Sequence, residues 1–331
     1  MLKYIIKRIL ISVLILFGVS VILYSLVRMM PNDYIDIKFS SQLNQGSITQ
    51  EDVDKYKELY GLSGGIFEGY CSWVGNLFTK GLGNSFLYED PVVDVIGKNM
   101  WISFAIAVIA TILQFLIAIP LGISSATHQY TARDYAVTIF TMMGLSLPTY
   151  FFAAIVIKVL SVDLDLFPIG GLIDPSASYP ETFWGGLTQF FDIVHHLVLP
   201  IFVSVILSLG GLMRYTRTNT LEVLNADYIR TARAKGLSEK TVIYKHAFRN
   251  TLIPLATLLA GILPSLFGGM MITEQVFAID GIGRLAYNAL RQGDVPFVMG
   301  YNLFLAILTI IGTLFSDIMY SIVDPRVKLG K

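Results

Sequence analysis

Asn225 to Pro254 reads NADYIRTARAKGLSEKTVIYKHAFRNTLIP, a basic, polar stretch between two long apolar runs. Its first half has the marks of a short helix. Asn225 is placed to cap the start, and Asp227 suits the positive end of the helix dipole. Arg230, Arg233 and Lys235 suit the negative end, and Gly236 can take the left-handed turn that stops the helix. Ser238 is placed to cap a second helix, in which Val242, Ile243, His246, Ala247 and Leu252 form an apolar stripe. Helix, glycine elbow and helix, held between two anchors, predict a rigid knob rather than a slack loop.

The chain around the knob is far from a soluble composition: of 331 residues, 54% are hydrophobic and only 15% charged. Six runs are long enough to cross a hydrocarbon core, which takes about 20 helical residues. They are Ile9–Val27, Ile102–Ser125, Ala136–Leu160, Leu197–Met213, Leu252–Thr273 and Met299–Val323. The first follows Lys3, Lys7 and Arg8 but is too long for a signal peptide, and no small-residue cleavage site follows before Pro31. Lys and Arg gather in 1–8, 126–136, 214–250 and 324–331, whereas the short segment 161–196 has none. The positive-inside rule then predicts a multi-pass protein of the cell membrane with both termini and the knob in the cytoplasm.

These assignments divide the chain into an N-terminal transmembrane helix (1–30), an outside segment (31–98) and a core domain of five spans (99–331) that includes the knob loop 214–251. The outside segment carries Tyr60, Phe67, Tyr70, Trp73, Phe78 and Phe86, which predict a small lid on the membrane surface. It either docks an external protein or only packs on the helices. Pro148, after Ser146 and Leu147, is the candidate hinge of the third run. Met213–Leu224 prolongs the fourth helix into the cytoplasm, placing the knob at a fixed height. Lys158, near the outer end of the third run, can snorkel. Asp317 lies inside the last run, where a carboxylate costs on the order of 3 kcal/mol and needs a partner. A basic residue of the fourth-helix extension is one candidate, and a proton relay is the other use.

Several chemistries are excluded. His195 and His196 are sequence neighbours that point about 100° apart on a helix and make a poor metal site. The single cysteine, Cys71, permits no internal disulfide. The basic residues of the knob interleave with Glu222, Asp227 and Glu239, which argues against nucleic acid. No Gly-x4-Gly-Lys-Ser/Thr loop is present to cradle phosphates, so any nucleotide energy must come from other chains.

YIRTARAKG followed by HAFRNTLIP resembles the cytoplasmic coupling loop of ABC-importer permeases, in the branch that moves peptides and nickel. The general importer pattern has Glu-Ala-Ala where this chain has Arg230, Thr231 and Ala232, and its proline comes earlier than Pro254. Other matching stretches are YGL with Tyr70-x-x-Trp73 and Gly83-x-Ser85-Phe86, then EQVFAIDGIGRLAYNALRQGDVPFVMG, then the terminal DPRVKLGK. The resemblance implies an all-α membrane protein of the ABC importer type I permease fold, with six spans and an extracellular lid after the first. It implies that Asp227, Tyr228, Arg230, Thr231, Ala232, Arg233, Lys235 and Gly236 couple the chain to ATPases. The implied partners are a second homologous permease chain, two ATP-binding cassette subunits, an extracellular substrate-binding lipoprotein and the lipid bilayer. ATP and Mg would sit on the partner ATPases, with no cofactor on this chain and no catalytic residue of its own. The implied cargo is oligopeptides or dipeptides, with nickel or a metal chelate as the alternative. An ion-coupled secondary transporter using Asp317 is the rival class.

Overall fold

The computed structural model describes residues 2–29, 39–40, 43–44, 46, 48–59, 64–260 and 262–323. All extended elements among them are helices: α1 (Leu2–Arg28), α2 (Gln50–Leu59), α3 (Ile66–Thr79), α4 (Val92–Thr127), α5 (Ala132–Ser146), α6 (Thr149–Val156), α7 (Phe183–Leu224), α8 (Asp227–Ala234), α9 (Glu239–Thr241), α10 (Phe248–Ala260), α11 (Leu263–Phe267), α12 (Met271–Val276), α13 (Ile282–Gln292) and α14 (Val295–Val323). The chain divides into two compact units, one of residues 1–99, 285–314 and 328–331, the other of 100–284 and 315–327.

In the first unit, Tyr24 of α1 stacks on Trp73 of α3 with ring centroids 5.9 Å apart, and Val295 and Met299 complete their cluster. Thr49 caps α2 reciprocally: the Asp52 N–H donates to its hydroxyl at 3.3 Å, and Asp52 accepts from the Thr49 N–H at 3.0 Å. The described residues between 39 and 98 thus include short helices packed through aromatic side chains. A buried carboxylate fastens this region. Asp294 accepts from the Ser85 hydroxyl, from the Leu87 N–H at 3.0 Å and from the Phe297 N–H at 3.1 Å, so one side chain caps α14 and holds the 84–91 turn.

In the second unit, α4 and α5 each approach α7 through small residues. A methyl group on Gly144 would lie 2.6 Å from the Ile206 carbonyl oxygen, and one on Gly122 would lie 2.7 Å from Thr216 Cβ. Gly210 is equally tight against the Thr141 carbonyl. Glycine lets the helix backbones meet where lipid offers no hydrophobic drive between helices.

Among the described residues, α4, α7 and the stretch 295–315 of α14 are long and apolar enough to cross a membrane. The third expected run is two helices, α5 and α6, whose axes differ by 106° across Leu147 and Pro148. Proline cannot continue the hydrogen-bond ladder and forces the preceding residue into extended backbone. Leu147 accordingly has φ −84° and ψ 129°. After α6 the chain widens into a π-turn over Ile157–Asp163, which brings Lys158 Nζ to 2.8 Å from the Asp163 carboxylate. The fifth expected run is divided among α10, α11 and α12 by Pro264 and the Gly268-Gly269 pair. The first run is an apolar stretch, Leu10–Leu26, within the longer α1. By length and composition the described residues thus hold three such helices, or four where the bent pair is one span. The fourth helix starts earlier than the expected Leu197, at Phe183, because Thr182 caps it through the Gly185 N–H at 3.1 Å.

Candidate functional site

The knob is built on the far end of α7, which runs without a break from the apolar stretch through Arg214 and Arg217 to Leu224. Asn225 does not cap the next helix as the sequence predicted. It closes α7, its N–H reaching the Glu222 carbonyl at 3.3 Å and its side-chain amide donating to the Leu221 carbonyl at 3.0 Å. The reason is the length of α7, which uses Asn225 before α8 can. Ala226 precedes α8 and offers no side-chain cap.

At its other end α8 stops in a Schellman turn. The Gly236 N–H donates to the Arg233 carbonyl at 2.9 Å and the Leu237 N–H to the Ala232 carbonyl at 3.4 Å, with Gly236 at φ 75°. That left-handed conformation is why glycine stands here. Ser238 then caps α9 through the Thr241 N–H at 3.4 Å. The second arm passes through a π-turn, Val242–Ala247, into α10.

The two arms share a core. Ile229 and Ala232 of α8, one turn apart, are buried against Val242 and Ala247, with Val223 and Leu224 of α7 beneath them. Truncating Ile229 to alanine should cost about 2–5 kcal/mol. Arg233 bridges the arms, its Nε 2.8 Å and its Nη2 3.3 Å from the two Glu239 oxygens. Arg230 reaches Asp227 at 3.4 Å with both side chains exposed, a pair worth little. Tyr228 is 45% exposed, and the desolvated part of its ring raises the phenol's pKa. Asp227, Arg230, Thr231, Lys235 and Gly236 face outward, while Ala232 faces in. The knob is thus a preorganised surface with a core of its own.

Pro148 lies at the α5–α6 break, away from the knob in sequence. Asp317 falls in α14, and its side chain lies outside the described residues. Of the basic residues on the α7 extension, Arg217 is engaged by Asp134, which sequence reasoning missed. This carboxylate is 3% exposed and accepts from Arg217 Nε at 3.2 Å and Nη2 at 3.0 Å, from the Tyr130 N–H at 3.0 Å and from the Ser125 hydroxyl. It joins the α4–α5 connection to α7 just before the knob. The available signal was Thr131-Ala-Arg-Asp134, a cap followed three residues on by an acid.

Glu274 was also missed as a structural centre. Only 1% exposed, it accepts from the Ser103 hydroxyl at 2.8 Å, the Met270 N–H at 2.8 Å and the Arg284 N–H at 2.9 Å. A side chain on Gly281 would meet this carboxylate at 2.5 Å, and one on Gly283 would meet the Met271 backbone N at 2.8 Å and the carboxylate at 3.0 Å. His196 Nδ1 lies 3.3 Å from Asp192, and His195 Nε2 donates to the Leu166 carbonyl at 3.1 Å. Among the described residues no group of three or more His, Cys, Asp or Glu could hold a metal.

Residues 118–329 match the family described as binding-protein-dependent transport system inner membrane component, and residues 1–107 match the N-terminal region described for such membrane components. The chain is 37% identical over 329 residues to the oligopeptide transport system permease protein AppB of Bacillus subtilis (strain 168), across 99% of this chain and 100% of that protein. It is 30% identical over 330 residues to the dipeptide transport system permease protein DppB of Lactococcus lactis subsp. cremoris (strain MG1363), across 99% and 100%. A chain of the MetNI methionine ABC transporter, solved in inward-facing conformations, superposes with a TM-score of 0.51 over 71% of this chain and 98% of that one, at 17% identity. At that identity the likeness is one of fold.

Proposed function

The chain belongs to the family of binding-protein-dependent transport system inner membrane components, and from that premise we propose that it forms half of the membrane path of an ATP-driven peptide importer. It is a multi-pass membrane permease subunit. Its cargo is oligopeptides or dipeptides, a reading supported by the names of relatives matched along their whole length. A second permease chain completes the path, two ATP-binding cassette subunits bind ATP and Mg beneath it, and an extracellular binding protein delivers the peptide. Both termini lie in the cytoplasm, this chain holds no cofactor, and its residues do no bond chemistry.

The observation that supports this most is the knob itself. A surface with its own core, a Schellman elbow and a cross-arm ion pair can be pushed without unfolding. Closure of the ATPase pair would draw this knob toward its counterpart, and α7 would convey the displacement to the spans. Two states of the bundle, inward-open and outward-open, would be biased by whichever nucleotide state the ATPases hold. Tyr228, Arg230, Thr231 and Lys235 present the contact surface. Arg233 and Gly236 hold its shape, and Ala232 sits beneath it. Pro148 is the position about which the third run would bend.

The test is purification of the tagged chain from its native membranes under mild detergent. A second permease and ATP-binding cassette subunits should co-purify, and Lys235→Glu with Tyr228→Ala should release the ATPases while the permease pair stays together. Recovery of the chain alone, with ion-gradient-driven peptide accumulation after reconstitution, would overturn the reading.

A further inference from the structure

The turn between α4 and α5 holds a backbone outlier. Tyr130 has φ 63°, in the left-handed region that glycine and asparagine enter at little cost and a bulky residue does not. Its N–H donates to the buried Asp134 carboxylate at 3.0 Å, which fixes the conformation. The side chain gains nothing from this within the chain. It is 73% exposed, and among the described residues its hydroxyl has no hydrogen-bond partner and its ring no aromatic neighbour. Strain of this kind persists where a contact makes use of it.

Arg133, three residues on, is exposed and equally uncommitted. Among the described residues its guanidinium has no hydrogen bond or ion pair, whereas Arg217, Arg230 and Arg233 each have a carboxylate. Asp134 is the only acidic residue from 95 to 162, and it is buried on Arg217. The charge of Arg133 is therefore uncompensated at the surface of this turn.

The depth of the turn follows from the shared carboxylate. Asp134 accepts from both the Tyr130 N–H and Arg217, which puts the turn and Arg217 near one level. Arg217 stands four residues, about 6 Å, past Met213, where the apolar run of α7 ends. The headgroup layer on each side of a bilayer is about 5–7 Å deep. Asn225, where the knob begins, is twelve residues or about 18 Å past Met213. The turn thus sits among headgroups, well short of the surface proposed above for the ATPases.

We infer that Tyr130 and Arg133 hold the headgroup of an anionic phospholipid, on the face of the membrane that bears the knob. Arg133 supplies charge for the phosphate, and one such cation near the surface favours an anionic lipid about fivefold. The Tyr130 ring and hydroxyl suit a boundary that is apolar on one side and wet on the other. The strain at Tyr130 is offset by this contact outside the chain. None of this depends on the cargo.

The test uses the full complex in vesicles of equimolar phosphatidylglycerol and phosphatidylcholine with matched acyl chains, with p-benzoylphenylalanine in place of Tyr130 for photo-crosslinking. Mass spectrometry of the chain should show phosphatidylglycerol adducts at least fivefold over phosphatidylcholine adducts, and adding Arg133→Gln should bring the ratio within twofold of one. A second measurement reads the strain. In non-ionic detergent without anionic lipid, Tyr130→Gly should raise the thermal midpoint by about 1–3 °C. The same variant should lose at least half of the stabilisation that added phosphatidylglycerol gives the parent. An adduct ratio near one with Arg133 intact, or adducts chiefly with another subunit, would overturn the inference. So would a lowered midpoint for Tyr130→Gly, since the side chain would then be supporting this chain's own fold.

Discussion

Removing the Asp134 carboxylate tests whether the α4–α5 connection and the knob-bearing helix are tied at one point. Asp134→Ala would leave the Arg217 guanidinium, the Ser125 hydroxyl and the Tyr130 N–H without their shared acceptor. Breaking a buried ion pair from one side costs about 3–5 kcal/mol. Arg217 is 27% exposed and can recover some hydration, so the loss here should be about 2–4 kcal/mol. Asp134→Asn keeps an acceptor of the same size and loses only the charge, for about 1–3 kcal/mol. Asp134→Leu combined with Arg217→Met removes both partners and should come within about 1 kcal/mol of the parent. Thermal unfolding of the detergent-solubilised complex, followed by size-exclusion chromatography of the surviving fraction, gives the order of the variants. Uptake per ATP hydrolysed, measured in proteoliposomes, gives the functional consequence, and the single substitutions should lower that ratio. A double variant that loses as much as the sum of the two singles would refute the tie, because it would show that the charges do not act on each other.

Gly236→Ala adds a side chain to open space and meets only the left-handed backbone strain, about 1–2 kcal/mol, so the complex should assemble with weakened coupling. Gly210→Ala would drive a methyl into the Thr141 carbonyl and the Leu145 side chain, and should lower the thermal midpoint further than Gly236→Ala does. Equal midpoints would contradict the close packing of α5 on α7. Glu274→Gln turns an amide N–H₂ toward at least one of three donors, and should cost about 1–3 kcal/mol by the same unfolding measurement. An unchanged midpoint would count against the carboxylate as the centre of that loop. The Tyr179 hydroxyl donates to Asp192 at 2.5 Å, and that bond first, then desolvation, pushes the phenol up to about 12. Because the folded value lies above the ordinary one, the bond's contribution is full below about pH 10 and disappears as pH climbs through 12. The tyrosinate absorbance difference between parent and Tyr179→Phe should therefore appear near pH 12, and its appearance near pH 10 would disprove the bond.

The knob was legible because its information is local. Gly236 and Ser238 each act on residues within a turn or two, so their types at that spacing name the elbow and the cap. Asn225 misled for a related reason: a good capping residue serves either neighbour, and the length of α7 decided which. The break at Pro148 was readable from the missing N–H, whereas its 106° bend was not, since the angle depends on what α5 and α6 each pack against. Asp134, Glu274 and Asp294 were illegible as anchors. Their partners Arg217, Ser103 and Ser85 lie far along the chain, and a carboxylate's value as a buried hub depends on donors that sequence spacing does not reveal. The fifth run read as one span because composition averages over Pro264, Gly268 and Gly269.

The glycine seam between α5 and α7 has a mechanical consequence. Because no side-chain layer cushions Gly144 against Ile206 or Gly210 against Thr141, shear of one helix along the other would bring a Cβ into backbone within a single residue's rise. Those two helices therefore have little compliance against each other, and deformation is diverted to places where the ladder is already interrupted. On the hinge reading proposed above, a stiff beam with soft joints at Pro148 and in the two π-turns would convey a small push over its whole length, at the expense of tolerating almost no change of residue along the seam.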